Sequence, residues 1–253
     1  MKVEEYISGI RHSKYEILAK AITLIESSLE KDKKKAIKLI DKCIPFSGES
    51  IRIGISGTPG VGKSTFIEKL GFYLKKKYKI AILAIDPSSS ISKGSILGDK
   101  TRMNQLTNEK NIFIRPSPSR GQLGGVCNHT RDSIILCEAA GFNIILIETV
   151  GVGQVEVDVA GTADTTVVVV TPGMGDAVQA NKAGLLEVAD IFVVNKADRP
   201  GANDTRRDLD LMLDLGHVSG LEEKTGYRPP IIMANSLEGE GAESGKFWTS
   251  TCR

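Results

Sequence analysis

Apolar residues follow two different spacings along the chain. Between residues 13 and 43 they recur every three or four positions, which is the spacing of amphipathic helices, and this predicts two helices. From residue 51 onward, short runs rich in β-branched residues replace that spacing, and helix-compatible segments separate most of them. The runs that predict strands are 51–56, 79–86, 111–117, 143–149, 165–171, 190–198 and 230–236.

These strand-like runs are continuously apolar rather than alternating, which is typical of strands that are covered on both faces. Alternation with helical segments indicates an α/β fold with a mainly parallel central sheet flanked by helices. The helical segment in front of the first strand adds a small N-terminal extension. We predict an extension over 1–48, the sheet domain over 49–240, and an atypical C-terminal segment over 241–253.

Composition narrows the classes of function. The 33 Lys and Arg residues nearly balance the 31 Asp and Glu residues, so no overall basic field favours nucleic acid or an anionic membrane as a partner. The charge run at 30–35 fits a solvated helix junction better than a binding patch. Four cysteines without a C-x-x-C pair indicate a reduced, cytoplasmic protein. No stretch approaches the roughly 18 apolar residues of a membrane span.

A phosphate-binding motif follows the first predicted strand. The sequence from Gly57 to Ser64 fits G-x-x-x-x-G-K-[ST], and a helix-compatible run comes after it. The alternative interpretation is an ordinary glycine-rich turn, which does not require a strand before it and a helix after it. In such a loop the backbone N–H groups approach phosphates, Lys63 reaches the β- and γ-phosphates, and the Ser64 hydroxyl ligates Mg²⁺. The predicted phosphate-binding residues are Gly57, Thr58, Pro59, Gly60, Val61, Gly62, Lys63, Ser64 and Thr65.

The motif N-K-A-D at 195–198 indicates which base the nucleotide carries. A carboxylate beside the base accepts hydrogen bonds from the ring N–H and the exocyclic amine of guanine, whereas adenine opposes it with an acceptor nitrogen. Asp198 is therefore the predicted guanine-reading residue. Lys196 is expected to support the face of the base, and Asn195 to tie this loop to the phosphate loop.

Carboxylates after other strands are candidates for the metal and the γ-phosphate. Glu148 ends a buried run and precedes a glycine-rich segment, so it can hold Mg²⁺, or it can serve only as a strand cap. Gln154 can orient a water or can lie in solvent. Asp86 and Asp99 are both plausible metal ligands, and the sequence does not rank them. A second predicted loop, over 115–125, carries Arg115 and Arg120, which either contact a partner or an anion or lie in solvent.

Several longer motifs resemble the MeaB/ArgK family of P-loop GTPases over roughly residues 15 to 240. The matching segments are GTPGVGKST, KGSILGDKTRM, RPSPSRGQLGG, ETVGVGQ, PGMGDAVQANKAG and VVNKAD. The resemblance implies a metallochaperone-type GTPase that assists methylmalonyl-CoA mutase in adenosylcobalamin loading, protection or reactivation. An older label for this family is a kinase of a lysine, arginine and ornithine transport system.

The resemblance also implies roles for particular residues. It places Asp86, Asp99 and Glu148 around Mg²⁺, and it makes 172–184 a switch that responds to the partner. The switch residues singled out are Asp176, Gln179 and Lys182, and the loop residues expected near guanine are Ala234, Asn235 and Ser236. The family forms a homodimer through a C-terminal helix and arm. Residues 242–253 lack helical apolar spacing, which argues against that homodimer here.

We therefore expect slow in-line hydrolysis of GTP to GDP and phosphate, accelerated by the mutase, with Lys63, Glu148, Gln154 and Lys182 as catalytic residues. Two alternatives belong to other classes. The chain can be an ATP-dependent kinase of an amino-acid transport system, which Asp198 argues against. It can also be a nucleotide-gated scaffold that hydrolyses little, and stimulation of turnover by the mutase distinguishes this scaffold from the GTPase.

Overall fold

The computed structural model describes residues 1–86, 103, 106–118, 125–149, 161–173, 188–218 and 227–241. The helices are α1 (Val3–Arg11), α2 (Tyr15–Ile25), α3 (Glu30–Cys43), α4 (Lys63–Leu74), α5 (Gly125–Ala139) and α6 (Ala202–Val218). The strands are β1 (Ile51–Ser56), β2 (Ile80–Asp86), β3 (Ile112–Pro118), β4 (Ile144–Thr149), β5 (Thr165–Val170), β6 (Ile191–Asn195) and β7 (Ile231–Ala234). Within these ranges, no helix is both long enough and apolar enough to cross a bilayer.

The strands form a seven-stranded parallel sheet in the order β3-β2-β4-β1-β5-β6-β7. The predicted α/β fold is confirmed, and each predicted run overlaps one of these strands. Parallel pairing brings the carboxyl ends of neighbouring strands to the same edge. Ser56 of β1 lies opposite Val168 of β5, and Asn195 of β6 lies opposite Ala234 of β7. The polar loops that follow these strands therefore share one edge of the sheet.

The chain divides into two compact units. The first comprises Met1–Arg52 and Leu74–Ile147. In it, α2 packs against α1, α3 and α5, and fully buried aliphatic side chains such as Leu18 and Leu39 line the contact. Cys43 and Cys137 are free thiols in this unit, and burial raises the pKa of Cys43 to about 11. Both thiols are therefore part of the packing.

The second unit comprises Ile53–Tyr73 and Glu148–Arg253. Its core lies between strands β5 to β7 and helix α6. The buried side chains of this cluster are Val168, Val170, Ala189, Phe192, Val194, Leu209 and Leu213. The centres of these strands are continuously apolar, so polar side chains lie at the strand ends and in the loops that follow.

The N-terminal segment contains both helices predicted between residues 13 and 43, and α1 precedes them. Tyr6 and Ile10 of α1 are buried and lie four residues apart, so its apolar stripe is short and easily missed in the sequence. The charge run at 30–35 occupies the first turns of α3. Lys33 pairs there with Glu30 at 2.8 Å while both side chains remain more than half exposed.

Residue 115 fell both in the strand-like run 111–117 and in a predicted loop, and the loop prediction was wrong for it. Arg115 belongs to β3, and its Nη2 donates to the Oε2 of Glu26 at the end of α2. Ser117 donates to the other oxygen of the same carboxylate at 2.6 Å. The side chains of Arg115 and Glu26 are only 20% and 9% exposed. This ion pair is therefore a structural bond between the helical extension and the sheet. Arg120 lies outside the described residues.

Replacing Arg115 with alanine is expected to lower the free energy of unfolding by about 3 kcal/mol, because it leaves a nearly buried carboxylate without its cation. Urea unfolding followed by circular dichroism measures this change. The matched control is Arg206→Ala, since Arg206 pairs with Asp210 on the surface of α6 with both side chains about half exposed. That variant is expected to lose less than about 1 kcal/mol. Equal losses in the two variants would contradict a buried structural pair.

Candidate nucleotide-binding site

The phosphate loop is the turn between β1, which ends at Ser56, and α4, which begins at Lys63. Its glycines adopt backbone angles that side chains disfavour, with φ of 139° at Gly57 and 95° at Gly62. A Cβ on Gly57 would lie 2.2 Å from the carbonyl oxygen of Val169 in β5. The motif needs glycine at this position because the loop backbone rests directly on the neighbouring strand.

Lys63 is nearly buried, and its ammonium group lies against the backbone of the loop. Its Nζ donates to the carbonyl oxygens of Gly57 at 2.5 Å and Thr58 at 3.1 Å. The first N–H groups of any α-helix have no partner within the helix and carry partial positive charge. At the start of α4 these groups and the lysine ammonium lie in one short segment, an arrangement that suits phosphate oxygens.

A hydroxyl and a carboxylate meet beside this loop. Ser64 Oγ donates to Oε1 of Glu148 at 2.7 Å, and Glu148 is the penultimate residue of β4, with 8% of its surface exposed. Neighbouring ligands of an octahedral Mg²⁺ lie about 3 Å apart, so these two oxygens fit positions in one coordination sphere. Among the described residues, no group of three or more His, Cys, Asp or Glu side chains gathers as a metal site. The donor set therefore suits a magnesium ion that takes its other ligands from phosphates and water.

Asn195 joins three loops through one buried side chain. Its Nδ2 donates to the carbonyl oxygen of Val61 in the phosphate loop at 2.8 Å. Its Oδ1 accepts hydrogen bonds from Ser236 N at 3.1 Å and from Ser236 Oγ at 2.7 Å. A Cβ on Gly62 would lie 2.4 Å from the same Nδ2. The amide therefore fixes the spacing between the phosphate loop, the end of β6 and the end of β7.

The residues after Asn195 turn sharply and then face solvent. Lys196 has a φ of 58°, and its Nζ donates to the carbonyl oxygen of Gly60 at 2.7 Å. Ala197 N donates to the carbonyl oxygen of Ala234 at 3.0 Å, which holds the loops after β6 and β7 side by side. Asp198 is exposed. Its carboxylate is thus accessible to a ligand at the edge of the sheet.

The structure brings the phosphate loop together with Glu148, Asn195, Lys196 and Ser236. Three other predicted residues, Asp99, Gln154 and Lys182, lie outside the described residues, as do Asp176 and Gln179. Asp86 is the last residue of β2. Backbone groups also shape this site, such as the Val169 carbonyl that lies against Gly57. Every residue has a carbonyl, so the sequence gives no signal for such groups.

A glycine-rich phosphate loop and an N-K-x-D loop at one edge of a parallel sheet define a P-loop protein that binds guanine nucleotides. The sequence model of the family described as "Methylmalonyl Co-A mutase-associated GTPase MeaB" matches residues 18–249. The chain belongs to this family, and it is a GTPase.

Curated relatives agree with this assignment. A "Putative GTPase" of Caulobacter vibrioides is 46% identical over 93% of this chain and 72% of its own length. "GTPase ArgK" of Escherichia coli is 41% identical over 94% of this chain and 72% of its own length. The "Methylmalonic aciduria type A homolog, mitochondrial" of Mus musculus is 40% identical over 94% of this chain and 60% of its own length.

A solved structure shares the fold. The crystal structure of an "LAO/AO transport system kinase" is 31% identical to this chain and superposes with a TM-score of 0.75. The match covers 98% of this chain and 73% of that one. The resemblance to the MeaB/ArgK family, the P-loop fold and the GTPase class predicted from the sequence are all confirmed.

Proposed function

We propose that this GTPase assists methylmalonyl-CoA mutase, in the loading of adenosylcobalamin, in protection or in reactivation of the mutase. The family description and the name of the mouse relative support the choice of partner. One structural observation supports a role that depends on the bound nucleotide. The side chain of Asn195 is hydrogen-bonded to the phosphate loop and to Ser236, just after β7. A change at the phosphates is thereby linked to the loops around the base.

Each strand-end loop has a proposed role in holding the nucleotide. The backbone of 57–65 and the Lys63 ammonium bind the phosphates, since this is the segment that gathers positive charge. Asp198 accepts hydrogen bonds from the edge of guanine, and the stem of Lys196 lies against its face. The backbone of 234–236 closes the base site from β7.

Ser64 and Glu148 are the described residues that would hold Mg²⁺, because their oxygens already lie at a separation that suits two ligands of one ion. When bound, Mg²⁺ offsets the negative charge of the phosphate oxygens during hydrolysis. The chain itself supplies Lys63 against the β- and γ-phosphates and the N–H groups of the loop. Asp86, Asp99, Gln154 and Lys182 stay predicted contributors.

The test measures the steady-state rate of GTP hydrolysis with and without the methylmalonyl-CoA mutase encoded by the same genome. We expect a low basal rate and an increase of about tenfold or more on addition of the mutase, as trans-acting partners produce in other P-loop GTPases. The same titration with ATP, and with serum albumin in place of the mutase, provides the controls.

Three outcomes are informative. Stimulation by the mutase alone supports the proposal. GTP hydrolysis that the mutase neither stimulates nor slows, together with no complex on size-exclusion chromatography, would exclude this partner. Turnover of ATP in preference to GTP would instead favour a transport-system kinase, the activity after which the solved relative is named.

A further inference from the structure

Helix α3 presents a row of apolar side chains to solvent. Ile37 is 61% exposed, and Ile44, which follows it by seven residues and caps the helix, is 50% exposed. Positions seven residues apart lie on the same side of a helix. Phe46, two residues further on, is 43% exposed. The side chains that pack α3 into the protein, Leu39 and Cys43, are buried on a different side of the helix, so this row is separate from the core-facing one.

Positive charge lies beside this row. The 14 residues of α3 include six lysines and three acidic residues, which gives the helix a net charge of +3, whereas the whole chain carries +2. Lys34 and Lys38 are exposed, lie one turn apart, and form no ion pair with another described residue. The guanidinium carbon of Arg11 lies 3.9 Å from the centroid of the Phe46 ring. The exposed residues of this region are called the α3 surface, and they are Lys34, Ile37, Lys38, Ile44 and Phe46.

Part of the α3 surface belongs to the charge run at 30–35, for which the sequence alone favours a solvated helix junction. The structure adds the exposed apolar row, and apolar surface in water gains free energy when a partner covers it. Protein interfaces combine an apolar centre with a charged or polar rim. The surface that complements this one is therefore acidic, with apolar residues at its centre.

One aspartate distinguishes a protein partner from a membrane. Asp41 is exposed, and it follows Ile37 by four residues and precedes Ile44 by three, so it lies on the same side of α3 as the apolar row. Anionic lipid headgroups would repel a carboxylate in the middle of the contact. A folded protein can instead place a hydrogen-bond donor opposite it. The arrangement thus favours a protein.

We propose that the α3 surface attaches this GTPase to an acidic patch of methylmalonyl-CoA mutase, in either nucleotide state. The inference rests on the proposed function, which supplies the partner. Helix α3 packs against α1, α2 and α5, which belong to the first compact unit, and none of these four helices contains a predicted nucleotide-binding residue. The attachment is therefore expected to be independent of the bound nucleotide.

The experiment measures the dissociation constant between the full chain and the mutase by surface plasmon resonance, once with GDP and once with a non-hydrolysable GTP analogue. The double variant Lys34→Glu/Lys38→Glu is expected to raise this constant by about tenfold or more in both states, because it sets like charges against each other. The control is Lys76→Glu/Lys77→Glu, which makes the same change in net charge in the exposed turn after α4.

A second variant tests the apolar row. Ile37→Ser is expected to raise the dissociation constant by roughly tenfold, because it removes apolar surface that the contact would bury. Leu211→Ser is the matched control, since Leu211 is also exposed but lies on α6. All changed side chains are exposed, so the urea midpoint and the basal rate of GTP hydrolysis of each variant are expected to match the wild type.

The outcomes separate the inference from the function on which it rests. Weaker binding by both α3 variants, equal in the two nucleotide states, supports the attachment. Wild-type affinity in the α3 variants, or a loss no larger than in the Lys76/Lys77 control, would overturn the inference and leave the partner in place. A loss confined to the GTP analogue would also overturn it, because that indicates a nucleotide-dependent contact.

Two further results are decisive. A wild-type chain that binds no mutase in either nucleotide state would overturn the proposed function itself. Binding of the wild type to vesicles of phosphatidylserine and phosphatidylcholine, lost in the α3 variants while their affinity for the mutase is unchanged, would overturn the inference in favour of a membrane surface.

Discussion

Replacing Lys63 with alanine is expected to lower the turnover number for GTP by at least about a hundredfold, even at saturating nucleotide. Lys63 is nearly buried, and its ammonium lies within hydrogen-bonding distance of the phosphate-loop carbonyls of Gly57 and Thr58. A cation fixed there stabilises the negative charge that develops on the γ-phosphate oxygens in the transition state. The measurement is release of inorganic phosphate over a range of GTP concentrations, which separates kcat from KM.

The control for this prediction is Lys76→Ala. Lys76 lies in the exposed turn after α4, so its loss removes one positive charge without touching the loop. Circular dichroism and a urea midpoint establish that each variant is folded. Turnover by a folded Lys63→Ala protein at the wild-type rate would contradict the assignment of the phosphate loop.

Replacing Asp198 with asparagine is expected to weaken GDP binding by at least about a hundredfold. In the proposed site the carboxylate accepts two hydrogen bonds from guanine, and the amide would substitute a donor that opposes the exocyclic amine. The same change is expected to improve binding of xanthosine diphosphate, because xanthine carries a carbonyl where guanine has the amine. Competition against a fluorescent GDP analogue gives both affinities.

Asp208→Asn is the matched control, since Asp208 is an exposed carboxylate on α6. It is expected to leave both affinities unchanged. Weaker binding of GDP without any gain for xanthosine diphosphate would indicate that Asp198 supports the loop rather than reading the base. Preference of the unmodified chain for ADP would contradict a guanine site altogether.

Local sequence patterns were sufficient for much of the fold. Runs such as IILI in β4 and VVVV in β5 are continuously apolar, and a strand buried on both faces has that pattern whatever surrounds it. The phosphate loop was equally readable, because one short segment from Gly57 to Ser64 carries the glycines, the lysine and the hydroxyl. Helix α1 was missed because its buried stripe is short.

The pairing of distant residues was the part that local patterns did not contain. Arg115 was predicted to lie in a loop, but its partner Glu26 lies 89 residues away, and only their contact makes the arginine structural.

The sequence by itself determined the strands, the phosphate loop and the N-K-A-D motif at 195–198, since each depends on residues close together in the chain. Tertiary structure decided how these parts form one site. Ser64 meets Glu148 across 84 residues, and Asn195 meets Val61 across 134 residues and Ser236 across 41. Hydrogen bonds depend on distances of about 3 Å and on direction. Such distances exist only after the parallel sheet has placed the ends of its strands side by side.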